Sequence, residues 1–379
     1  MPSSSTATAS RAALPETGRL AVYDAPNAPF HLVSLPLRPP GPGEALARIR
    51  MSTICRSDIH SYQGLRPNPC PGVLGHEIIG DLVALGEGVA FDMRGAPLSV
   101  GDRITWSEYF ISGAGGLPEL LELPQKSPGV HKYGHLALTT PPHHHGGFGE
   151  YCYILPKSWI LRLPQCLSDE EATPLNCGVA TMVAATEAAA IRLGHRVVVQ
   201  GLGLLGLYGA ALAKARGASM VIGLDGVPER RNLAHRFGVD LALDPGEGAA
   251  ALGERIRAAC GHEGPDAVIE VCGVPAAIPL GLELVRPGGT CVLAGLVNPG
   301  AMVELDAHLL LRKVITMRGV HNYHPRHLAE ALDFVVANRE RYPFGALVDG
   351  KYPLARAGQA MADAASRRVL RAAILPGML

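Results

Sequence analysis

The stretch RVVVQGLGLLGLYGAALA, Arg196–Ala213, decides how the rest of the chain is read. An apolar strand leads into three glycines spaced GxGxxG, and small and apolar residues at helical spacing follow. Gly201 permits a tight turn, Gly203 lets backbone approach a pyrophosphate, and Gly206 lets the helix pack closely on the strand. The helix N-terminus turns free N–H groups and a positive dipole end toward phosphates. Gly201, Leu202, Gly203, Leu204, Leu205 and Gly206 are therefore assigned to cofactor binding. Alone the glycine pattern is weak; between an apolar strand and a helix it is specific. The competing reading is a glycine-rich turn in a non-binding α/β protein. Asp225 ends the next strand, nineteen residues past Gly206. A carboxylate there accepts both hydroxyls of an adenosine ribose and repels a 2′-phosphate, which favours NAD over NADP.

Outward from this unit, strands and helices alternate. SMVIGLD (219–225), DAVIEVCG (266–273) and TCVLAGL (290–296) read as strands, and 204–217 and 228–238 read as helices. Apolar strands alternating with helices imply a parallel sheet covered on both faces. VITMRGVHNY (314–323) reads as the last strand and the exit from that sheet. From Arg19 to about Leu163 the texture differs, with short strands broken by Gly and Pro, which points to a compact β-barrel or sandwich. The end of the chain supplies helices and a closing strand. MPSSSTATASRAALPETG, residues 1–18, is small and polar and reads as a flexible leader without the apolar core of a signal peptide.

A length of 379 residues allows two domains, each with a substantial core. Lys+Arg and Asp+Glu both number 34, so charge offers no argument for nucleic acid or an anionic membrane as partner. No run of eighteen apolar residues marks a membrane span. The eight cysteines stand singly, at 55, 70, 152, 166, 177, 260, 272 and 291, with no CxxC pair. That scatter reads as reduced thiols in a cytoplasmic protein.

Near the front, CRSDIH (Cys55–His60) crowds a thiol, a hydroxyl, a carboxylate and an imidazole, and GHE (Gly75–Glu77) adds His76. Cysteine and histidine are good zinc ligands, and three ligands with an open fourth position mark a catalytic site. Cys177 in PLNCGVATM, at the seam between the two textures, is the best third candidate. Spacing alone leaves Cys70, Cys152 and Cys166 open.

The ordered motifs CRSDxH, GHE, GDR (Gly101–Arg103), GGFxEY (Gly146–Tyr151), a Cys-Gly before a helix and GLGLLG resemble the zinc-dependent medium-chain alcohol dehydrogenases. The string RGVHNYHPRHL (Arg318–Leu328) resembles a subgroup associated with phosphonate metabolism. The resemblance implies an α/β fold: a GroES-like β-barrel catalytic domain over 19–177, a Rossmann doubly wound sheet over 178–318, and a return to the first domain over 319–379. It implies zinc held by Cys55, His76 and Cys177. It implies that Ser57 hydrogen-bonds the alkoxide and that His60 ends a proton relay running from Ser57 through the nicotinamide ribose. Asp58 would orient His76, and Glu77, behind the metal, would be a transient ligand. Arg56 would approach the pyrophosphate, Thr181 the nicotinamide and Arg230 the adenosine ribose. The implied activity is NAD-dependent interconversion of an alcohol and its carbonyl compound.

One part of that family pattern is missing. Many relatives carry four cysteines after the GDR strand for a structural zinc, and residues 101–135 contain none. One zinc per chain follows, with Leu117, Leu120 and Leu121 expected to pack where the second metal sits in relatives. His143–His145 reads as a polar turn before GGF, with metal binding as the alternative. Arg66, Trp106 and Tyr109 lie near segments that line substrate in relatives. The basic residues of Arg318–Leu328 suggest a small anionic alcohol such as a hydroxyalkylphosphonate. The rival functions are a reductase acting on a C=N or C=C bond and a non-catalytic nucleotide-binding homologue. An apolar sheet edge at Thr290–Asp306 suggests a homodimer or homotetramer.

Overall fold

The computed structural model describes residues 14–113, 116–139, 141–261 and 263–378. The chain opens with β1 (Thr17–Val22) and β2 (His31–Pro36), an antiparallel pair. β3 (Ala45–Thr53), β4 (Glu77–Leu85), β5 (Arg103–Trp106), the hairpin β6 (Tyr109–Ile111) and β7 (Val130–Lys132), β8 (Tyr151–Ile154) and β9 (Ile160–Arg162) follow. Next come β10 (Arg196–Gln200), β11 (Met220–Leu224), β12 (Leu241–Leu243), β13 (Ala267–Glu270), β14 (Thr290–Leu293) and β15 (Thr316–Gly319). β16 (Gly350–Pro353) and β17 (Ala372–Leu375) close the chain.

β10 to β15 form a six-stranded, wholly parallel sheet in the order β12-β11-β10-β13-β14-β15. This is the doubly wound order whose strand sequence reverses beside the first strand, and such a reversal opens a crevice at the carboxyl ends of the strands. Its central strands are buried on both faces, which is why they read as unbroken apolar runs. The second sheet runs β16-β17-β3-β4-β5-β9, with β8 also paired to β3. The end of the chain thus returns to the front: β17 adds antiparallel to β3, Ala373 opposite Thr53. That return brings the Arg371 guanidinium to the carbonyl of Ile54, the residue before Cys55, to which it donates at 2.7 Å.

Three sequence expectations change. Residues 1–13 of the expected leader lie outside the described residues, and Thr17 and Gly18 already pair with Pro36 and Leu35 in β1. The sheet edge is β15 rather than Thr290–Asp306, because β15 covers β14. Leu117, Leu120 and Leu121 do not fill a lost metal lobe: they are 65%, 83% and 59% exposed, on a single turn of helix with no buried residue. Among the described residues, no helix is long and apolar enough to cross a membrane.

Candidate active site

The metal donors arrive from three places in the chain. Cys55 caps the short helix Arg56–Tyr62, directly after β3. His76 precedes β4, and Cys177 caps the helix Gly178–Ala188. All three are buried, and with Glu77 their ligand atoms lie within 4.8 Å of one another. The two sulfurs are 4.0 Å apart. Two zinc–sulfur bonds of about 2.3 Å at a tetrahedral angle need nearly that separation, so the donor set fits zinc.

Asp58 sits behind this group. One carboxylate oxygen is 3.1 Å from His76 Nδ1 and 3.2 Å from the Gly75 N–H that donates to it; the other accepts from Cys55 N–H at 2.8 Å. Nε2 is thereby left facing the metal position, the arrangement a ligating imidazole needs. Burial opposes charge on His76, but Asp58 outweighs it and carries the pKa up to about 10. The Cys55 thiol is pulled well below its ordinary range, first by the hydrogen bond from Cys177 and, against burial, by His76 and Arg371. Cys177 is correspondingly held up by Cys55 and by burial. Glu77 accepts the Thr53 hydroxyl and lies 3.5 Å from Arg371, and burial pushes it up to about 7.

A cavity of about 1010 Å³ runs from these donors to the glycine turn. Ser57, His60, Arg56, Thr181, Gly201, Gly203, Leu204, Leu205, Gly206, Asp225 and Arg230 all line it. Ser57 Oγ is 3.5 Å from His76 Nε2. Burial first, then Arg56, holds the His60 imidazole below its ordinary pKa. Gly201 has φ 101°, and a Cβ there would lie 2.8 Å from the Cys272 side chain. A Cβ on Gly206 would lie 1.8 Å from the Gly201 carbonyl oxygen, whereas one on Gly203 meets nothing within 4 Å. The space before Gly203 is thus open cradle, at the uncapped N-terminus of the helix Leu204–Ala215, and a pyrophosphate fits it.

Asp225 accepts from the N–H groups of Leu202 and Val227 at 2.8 and 2.9 Å, with Arg230 at 3.7 Å. Leu202 is the one glycine-turn residue off the cavity: its side chain is buried against Gly223 and its amide serves Asp225. Asp58, His76 and Glu77 lie behind the cavity wall rather than on it.

Other expectations are redistributed. Arg66 lines the cavity, but Trp106 and Tyr109 are wholly buried, and the Tyr109 hydroxyl donates to the Tyr323 carbonyl at 2.9 Å. Of Arg318–Leu328, only Val320, His321 and Asn322 reach the cavity. Arg326 is paired with Glu187 and Glu330 on another surface, so its charge faces away. His321 is held down to about 4 by burial, then by Lys126 and Lys132, and contributes no cation. His143, His144 and His145 brace backbone carbonyls of Leu138, Leu35 and Ala137. Glu108, Lys132, Arg367 and Arg371 line the cavity and were not found in the sequence, where each is one charged residue in an unremarkable string. The pairing of β17 with β3, which places Arg371, has no local signal.

Comparison with known proteins gives the family and the fold. The alcohol dehydrogenase GroES-like domain family matches residues 41–165, and the zinc-binding dehydrogenase family matches residues 205–337. L-galactonate-5-dehydrogenase of Escherichia coli is 32% identical over 82% of this chain and 87% of its own length. A probable alcohol dehydrogenase of Mycobacterium tuberculosis is 31% identical over 85% of this chain and 88% of its own. The crystal structure of an alcohol dehydrogenase from Thermotoga maritima superposes with a TM-score of 0.90 at 27% identity, over 95% of this chain and 99% of that one. The chain belongs to the zinc-dependent medium-chain alcohol dehydrogenase family.

Proposed function

We propose that this enzyme uses NAD to interconvert a small anionic alcohol, of the hydroxyalkylphosphonate kind, with its aldehyde or ketone, and that it holds one zinc at Cys55, His76 and Cys177. The observation that carries the reading is the convergence of those donor atoms, with Glu77, within 4.8 Å at one end of the cavity that begins at the glycine turn. Zinc, when bound, supplies the Lewis acidity that makes the alcohol proton labile while NAD accepts the hydride.

The chain's own residues do the rest. Ser57 would take the substrate's hydroxyl proton as it passes its own on through the nicotinamide ribose, and His60, whose pKa burial and then Arg56 lower, would hand the proton to solvent. Asp58 fixes the tautomer of His76. Asp225 receives the ribose hydroxyls, and Arg56 with Arg367 faces the phosphates. Arg66 lines the same cavity and supplies positive charge for an anion. The E. coli relative is named for galactonate, an anion of the same charge class. Free cysteines throughout the described residues suit a cytoplasmic enzyme, and the exposed edge β15 suits a dimer or a tetramer built from dimers.

The test is a panel of anionic and neutral alcohols with NAD and with NADP, followed by nicotinamide absorbance, with zinc measured on the same sample. Anionic alcohols with NAD should lead by at least about tenfold in kcat/KM, near 1.4 kcal/mol. Equal turnover of neutral analogues ends the anionic reading. Undiminished oxidation by Ser57→Ala favours the reductase.

A further inference from the structure

The cleft wall carries a carboxylate that neither the metal site nor the cofactor site uses. Glu108 is 1% exposed, and its Oε2 lies 3.8 Å from His76 Nε2, the nitrogen that faces the metal position. Lys132, with its side chain 12% exposed, brings Nζ within 2.7 Å of the same oxygen. Lys132 is thus the ionic partner of Oε2, which accepts no hydrogen bond from any other group among the described residues.

The hairpin of β6 and β7 builds this pair. Tyr109 pairs with Lys132 across β6 and β7, and Tyr133 N–H donates to the Glu108 carbonyl at 3.0 Å. The Glu108 N–H donates to the Tyr323 hydroxyl at 3.2 Å, which ties its backbone to the loop after β15. Both side chains line the cavity alongside Cys55, Ser57 and Cys177, the end of it that the proposed carbinol occupies.

A hydrocarbon chain laid over the pair would seal it from water and leave the ammonium hydrogens and carboxylate lone pairs not used between the two without partners, which is unfavourable. A hydroxyl suits the place because one oxygen can donate to Glu108 and accept from Lys132. We propose that Glu108 and Lys132 form a specificity site for a hydroxyl vicinal to the carbinol, so that the substrate is a 1,2-diol. The proposal rests on the dehydrogenase reading above and adds a second recognition element to it.

Four compounds on one propyl scaffold separate the two readings: propan-1-ol, propane-1,2-diol, 3-hydroxypropylphosphonate and 2,3-dihydroxypropylphosphonate. The zinc enzyme with NAD should favour each diol over its mono-alcohol by at least about a hundredfold in kcat/KM, since a site built to bond a hydroxyl rejects the analogue lacking it. Glu108→Gln alone strands the Lys132 charge, so the double variant E108Q/K132M, which removes both charges, is the deciding form. It should compress the diol ratio to below about tenfold while keeping mono-alcohol turnover. A wild-type diol ratio near one, or a ratio that survives the double variant, overturns the proposal. A diol preference without a phosphonate preference overturns the anionic reading alone and supports this one. Binding of the same compounds to the cobalt-substituted enzyme with NADH, read from the visible band, gives the same ratios without turnover. Should none be oxidised, the dehydrogenase reading falls, and the cobalt ratios still decide the hydroxyl site.

Discussion

The side-chain amide of Asn176 donates to the backbone carbonyl of His76 at 2.9 Å, and its second hydrogen goes to the carbonyl of Trp106 at 2.8 Å. Asn176 precedes Cys177, so the segment that brings one metal donor is fastened to the backbone of another. Asn176→Leu removes both bonds and strands two buried carbonyls, each costing about 1–3 kcal/mol. Zinc affinity should fall by about 10–100-fold, the usual effect of losing a group that orients ligands. Chelator competition measures it. Unchanged affinity would show that Cys177 is positioned without Asn176.

Zinc stoichiometry tests the donor set directly. Elemental analysis of the purified wild type should give one equivalent per chain, and Cys55→Ser or Cys177→Ser should give close to none. The remaining candidate clusters among the described residues are poor hosts: Glu187, His327 and Glu330 are tied to Arg326, and the Asp58–His76–His135 group shares His76 with the first. A second tightly held equivalent in the wild type would overturn the one-zinc reading.

Asp225 should set cofactor choice. Its carboxylate is anchored by the Leu202 and Val227 amides, with Arg230 beside it, so in the proposed ribose-binding role it would meet a 2′-phosphate with a fixed negative charge. Asp225→Ser removes the repulsion and leaves Arg230 free to meet the phosphate. The NAD-to-NADP ratio of kcat/KM should shift toward NADP by at least about tenfold, roughly 1.4 kcal/mol. A ratio that does not move would place the discrimination elsewhere in the cavity.

What the sequence made legible follows from the range of each signal. The glycine turn and its flanking strand and helix are local, so 201–206 could be placed on period and spacing alone. Cys55 and His76 were legible because CRSD and GHE are compact motifs. Cys177 needed the family, since three other cysteines fit spacing equally well. Glu108, Lys132 and Arg371 stayed hidden because strand pairing creates their positions: Lys132 meets Glu108 through a hairpin across 23 intervening residues, and Arg371 reaches Glu77 through β17. The leucines at 117, 120 and 121 misled because an apolar string says that burial is favourable, not that a neighbour is there to provide it.

Those leucines make a prediction of their own. Exposed side chains contribute little to folding, so replacing Leu117, Leu120 and Leu121 with Ser should each shift stability by no more than about 0.5 kcal/mol. Thermal melts at low protein concentration measure this. A large drop would show that another surface covers the turn in solution.

Acid should weaken the fold through His145. The ring is 1% exposed, its Nε2 lies 3.3 Å from the Ala137 carbonyl, and Nδ1 has no partner. Burial brings its pKa down to about 4, with the Ala137 bond opposing and His143 and His144 adding to the shift. An unfolded histidine titrates near 6.5. Between those values the unfolded chain binds a proton that the fold refuses, so stability is full above about pH 6.5 and falls as pH drops toward 4. The loss reaches about 3 kcal/mol by the 1.36 kcal/mol per unit relation. His145→Gln keeps a donor for Ala137 without a titrating ring, so its stability should fall less than the wild type's between pH 7 and 4.5. Denaturant melts across that interval decide it, and parallel pH profiles would show that His145 does not carry the acid sensitivity.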